Sequence, residues 1–113
     1  MAKRTELTTL PGYIINPVNE LAEHVIFAGL VAGGNAQLVF AFENGFGASV
    51  LRGPTAGCGE YYELAVVRVE GPHTWRLTYD TGLCGDVAYL DDEEVVPFLA
   101  RIKALPARAL PGA

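Results

Sequence analysis

Residues able to do nucleophilic or metal chemistry are sparse in this chain: Cys58, Cys84, His24, His73 and one serine, Ser49. A zinc site takes four ligands, usually with one close-spaced pair, and Cys58, Cys84 and His73 offer three scattered ones. Cys–His catalysis also needs an orienting third group and oxyanion donors, and the spacing supplies neither. Free cysteines ordinarily behave as small buried apolar residues, and the sequence does not decide whether these two pair. Ser49 follows Gly47, but residue 51 is Leu where a nucleophile elbow needs glycine. The loop Gly53-Pro54-Thr55-Ala56-Gly57-Cys58-Gly59 lacks the Lys-Ser/Thr ending of a phosphate loop, and a strand pattern follows it instead of a helix. It reads as a hairpin connection. Glu63, His73 and Asp80 remain as isolated acid–base candidates. No catalytic residue, metal site or cofactor is assigned, and the chain is not expected to be an enzyme.

Two charge features invite binding instead. Asp80, Asp86, Asp91, Asp92, Glu93 and Glu94 occur with no Lys or Arg before Arg101. They are candidates for contact with a basic partner, such as the nucleic-acid-binding site of another protein. The ordinary alternative is helix capping and a solvated face. Arg52, Arg68 and Arg76 are candidate anion contacts for a sequestered small molecule, a reading that requires them to cluster on one sheet face.

The elements that would carry these residues follow from periodicity. Asn16-Pro17 is a helix-start signal, and Val18, Leu21, Ala22, Val25 and Gly29 recur at helical spacing up to Gly33-Gly34. This predicts a helix over 16–34, behind a lead-in arm at 1–15. The run Val25-Ile26-Phe27 would suit a strand equally well. From Gln37 the period becomes two: Leu38, Phe40 and Phe42 alternate inward, Asn44-Gly45 turns the chain, and Phe46, Ala48 and Val50 return. Tyr61–Val69 and His73–Tyr79 predict two further strands. In the last of these Trp75, Leu77 and Tyr79 form the apolar face, and Thr74, Arg76 and Thr78 the wet one. Asp91 and Glu94 make a capping-box pattern, with Leu90 and Val95 placed as a hydrophobic staple, for a helix over 91–104. Pro97 is discordant, since past the first turn it kinks a helix. Residues 105–113 read as a loosely ordered tail.

These elements define a single α+β domain: a four-stranded antiparallel sheet over 37–80, with a C-terminal helix and an N-terminal helix packed on one face. The 113-residue length and 50% apolar content suit one packed core. The net charge of −5 and scattered basic residues exclude a general nucleic-acid binder. The apolar run from Val25 to Ala32 is too short to span a membrane and follows two glutamates, so neither a membrane segment nor export is expected. A cytoplasmic setting is the default.

The segments Phe42-Glu43-Asn44-Gly45-Phe46-Gly47-Ala48-Ser49-Val50, Tyr62-Glu63-Leu64-Ala65-Val66-Val67, Leu77-Thr78-Tyr79-Asp80-Thr81 and Asp86-Val87-Ala88-Tyr89-Leu90 resemble, in order and spacing, a group of small uncharacterised bacteriophage proteins. The likeness covers about residues 40–102. It departs at Gly82-Leu83-Cys84-Gly85, where the group has a proline-containing turn, and does not include the first 35 or so residues. It implies fold and phage origin but no mechanism. The leading expectation is a phage accessory protein that binds a bacterial host protein, such as an inhibitor of host defence of the anti-CRISPR kind. Its partner would be a host effector that binds nucleic acid. The alternatives are a nucleotide-sequestering module and a phage structural or assembly protein. An exposed sheet edge would also permit a homodimer.

Overall fold

β-Branched and aromatic residues recur through the segments from Val25 onward, and such side chains fit a pleated, half-buried surface. The computed structural model describes residues 9–10, 13–14, 21, 23–55, 61–71, 74–78, 87–91 and 93–107. A two-stranded ribbon, β1 (Thr9–Leu10) and β2 (Tyr13–Ile14), precedes the main sheet. That sheet contains β3 (Val25–Val31), β4 (Asn35–Ala41), β5 (Phe46–Arg52), β6 (Tyr62–Gly71), β7 (Thr74–Leu77) and β8 (Ala88–Leu90). One helix, α1 (Val95–Lys103), follows.

The sheet is an antiparallel meander in the order β3-β4-β5-β6-β7. The last strand, β8, pairs the beginning of β6 at Tyr62–Leu64, while β7 pairs its end from Val67. The expected antiparallel sheet with a C-terminal helix is therefore present, but with six strands where the periodicity gave four.

The helix expected over 16–34 is corrected. Residues 25–31 form a strand, because β-branched and aromatic side chains are more restricted in a helix than on the pleated surface of a sheet. Gly33 and Gly34, expected to stop a helix, instead turn β3 into β4 with φ of +82° and +75°. The proposed helix start at residues 16–20 lies outside the described residues, as does the inner part of the glycine-rich loop.

On one face of the sheet Leu38, Phe40, Phe42, Ala48, Val50, Tyr62, Leu64 and Val66 pack against Val95, Phe98, Leu99 and Ile102 of α1. Leu99 and Ile102 are fully buried, and burial of such a side chain stabilises the fold by about 2 kcal/mol. Leu21, Val25 and Ala28 join the margin of this core. So does Leu105, the first residue of the expected loose tail. The expected hairpin forms: Gly45 has φ +87°, and the Phe42 N–H donates to the Phe46 carbonyl at 2.8 Å.

The reciprocal Asp91–Glu94 hydrogen bonds of a capping box are present, in a turn that precedes α1. The Glu93 and Glu94 N–H groups donate to Asp91 Oδ1 at 2.9 and 3.0 Å, and the Asp91 N–H donates to Glu94 Oε1 at 3.0 Å. Leu90 and Val95, the expected staple, are buried in the same core. Pro97 falls in the first turn of α1, one residue before the Phe98 N–H donates to the Glu94 carbonyl. The expected kink is corrected accordingly, because a first-turn N–H has no acceptor within the helix to lose.

Candidate functional site

Strand alternation gives the sheet two faces, and α1 covers only one of them. On the helix-free face the register aligns Phe27 with Val39, Val67 with Leu77, Val69 with Trp75 and Glu63 with Tyr89. Val39 and Val67 are fully buried there without help from the helix. The sheet curls over this face: Phe27 on β3 and Trp75 on β7, at opposite ends of the strand order, bring their ring centroids within 6.1 Å.

Outside that closure the face stays open. Leu77 is 48% exposed and Tyr89 59% exposed, and with Trp75 they form an apolar row along the β6 edge. This corrects the sequence reading of β7, in which the Trp75 and Leu77 face was the covered one. Arg76, on its opposite face, is exposed as expected. The centre of this face is uncharged and buried: Gln37 Nε2 donates to Ser49 Oγ at 2.8 Å, flanked by Val39, Ala65 and Val67. Glu63 brings a carboxylate to one end, beside Tyr89. The exposed Leu77 and Tyr89 beside the half-buried Trp75 match the composition of a protein-contact surface, where aromatic residues are enriched.

The predicted acidic surface is only partly described. Asp91, Glu93 and Glu94 are exposed at the start of α1, but the carboxylates of Asp91 and Glu94 are engaged in the cap. Asp80, Asp86 and Asp92 lie outside the described residues. So do His73, Cys58 and Cys84. Of the acid–base candidates Glu63 alone is placed, and it stands on the helix-free face without a described histidine beside it.

Arg52, Arg68 and Arg76 all project from the helix-side face by strand parity, but not as one cluster. Arg68 and Arg76 are directly opposed on β6 and β7. Arg52 sits over the Tyr62 ring, 4.6 Å from its centroid, six residues along β6 from Arg68. At about 3.3 Å per residue that is roughly 20 Å.

His24 packs edge-on against Phe42 at 5.1 Å, and its Nε2 lies 3.4 Å from Glu23 Oε2. Among the described residues no three His, Cys, Asp or Glu side chains are grouped to hold a metal ion, and no helix is long and apolar enough to cross a membrane.

Sequence reasoning missed Tyr89 and Phe27 as surface residues. Alternation alone could not identify them, because it separates two faces without saying which one a helix will cover. No known protein family, curated protein or solved structure matches the chain, so the phage resemblance rests on its motifs alone.

Proposed function

We propose that this chain is a small phage-encoded accessory protein that acts by binding a bacterial host protein through the helix-free face of its sheet. The observation that carries this reading is the exposed pair Leu77 and Tyr89 beside the half-buried Trp75 on that face. Interface hot spots are rich in Trp and Tyr, whose large rigid side chains bury area at low entropic cost. The phage resemblance supplies the setting, and a host defence effector is the class of partner it suggests. The acidic segment is a weaker contact candidate than it was from sequence, since two of its carboxylates already hold the start of α1.

The test is capture from a bacterial lysate with tagged protein, washed at low and high salt. Apolar docking predicts a stoichiometric partner retained at high salt and lost from Leu77→Asp and Tyr89→Asp, both folded by circular dichroism. Retention that survives both substitutions would refute the assignment of this face. A partner lost at high salt and dependent on Glu93 would move the contact to the acidic segment.

A further inference from the structure

We propose that Arg68 and Arg76 form a binding site for a small phosphorylated molecule at the β6–β7 end of the helix-side face. The two residues are register partners, so their side chains leave the same face with β-carbons about 5 Å apart. Like charges placed opposite one another destabilise a sheet, and among the described residues Glu70 alone is paired with either of them. Arg68 is half-buried, and its Nε is shielded from solvent without a hydrogen-bond acceptor. Among the described residues it has no ion pair. Arg76 has Glu70 Oε2 at 3.7 Å from its Nε, and its side chain remains 66% exposed.

Counting the described residues, two guanidinium groups and the Glu70 carboxylate leave this spot positive in a chain of net charge −5. The Arg68 Nε is shielded from solvent, and the Arg76 guanidinium is open to an incoming ligand. Limited solvation makes a bound anion worth more than it would be at a surface lysine. Two guanidinium forks present more parallel N–H donors than a carboxylate has oxygens, whereas a phosphate monoester offers three acceptor oxygens. A nucleic-acid backbone fits poorly, because the third arginine stands about 20 Å away and the remaining charge repels a polyanion. Phe46, opposite Arg68 on β5, supplies an apolar wall beside the pair for the uncharged part of such a ligand.

The experiment follows the arginine Nε–Hε signals of the isotopically labelled full chain by NMR during titration with inorganic phosphate and then pyrophosphate. Sodium chloride at matched ionic strength and sodium acetate are the comparison arms. The expected result is a saturable shift of the Arg68 and Arg76 signals with phosphate, at least tenfold weaker in Arg76→Gln and unchanged in Arg52→Gln. Arg76 is largely exposed, so its variant is expected to fold, and the wild-type titration depends on no variant. Shifts no larger than those with chloride, or saturation by acetate alone, would overturn the proposal. Tyr89→Asp, on the other face, leaves this titration unchanged, so the result is independent of partner binding.

Discussion

The side-chain amide of Asn44 joins the β4–β5 hairpin to the end of α1. Its Nδ2 donates to the carbonyls of Ile102, Lys103 and Leu105 at 2.8, 3.1 and 3.0 Å, while its Oδ1 accepts from the Phe46 N–H at 3.0 Å. A turn asparagine thereby satisfies carbonyls that a helix C-terminus leaves open. Asn44→Ala is expected to cost about 2 kcal/mol in urea unfolding, for several hydrogen bonds lost and acceptors left unpaired. Asn44→Asp has nearly the same shape but presents only acceptors, and places a negative charge at the negative end of the helix dipole. It should therefore be the more destabilising of the two. An aspartate variant as stable as wild type would show that the turn, and not the helix end, is what Asn44 serves.

At the level of elements, α1 depends on how its first turn is built. Asp91→Ala removes the acceptor for two N–H groups and is expected to cost about 1 kcal/mol. Pro97 gives a sharper test. A proline in the helix interior costs about 3 kcal/mol, so replacing it there would stabilise strongly. Placed in the first turn, Pro97 restricts the unfolded chain at little native cost, and Pro97→Ala should instead destabilise by about 0.5 kcal/mol. The sign of the change in thermal midpoint decides between the two positions. The capping box and the Asn44-Gly45 hairpin were readable from sequence because their signals are local. The segment around Val25 was not, for a specific reason. Leu21 and Val25 were correctly expected to meet the core, but helical spacing and a strand with one bulged residue at Ile26 bring the same side chains inward. Gly33-Gly34 ends either element equally well. The three-residue β8 is too short to show a period. Arg68 and Arg76 could be assigned to one face from parity, but their direct opposition depends on the β6–β7 register, which periodicity alone does not fix.

On the scale of the whole molecule, the curl of the sheet decides what each face can do. Strands β3 and β7 are separated by four strand spacings, about 19 Å if the sheet were flat, yet Phe27 and Trp75 come together over the helix-free face. The Phe27 ring lies back over Gly29, where a β-carbon would come within 3.3 Å of its Cζ. Val39 and Val67, on this same face, are fully buried, and the register sets Phe27 opposite Val39. Phe27 is itself 36% exposed, so truncation should cost less than for a fully buried phenylalanine, about 2 kcal/mol for Phe27→Ala. Trp75 is the only tryptophan, and its emission reports the closure directly. Phe27→Ala should shift that emission to longer wavelength in the native state and lower the urea midpoint. The fluorescence and circular dichroism transitions should remain coincident, because opening the edge exposes valines at the centre of a cooperative sheet. A red shift with an unchanged midpoint would mean that the two rings meet without holding the curl. The apolar row of Leu77 and Tyr89 would then stand on a flat sheet, and its partner would need a flat surface of its own to match.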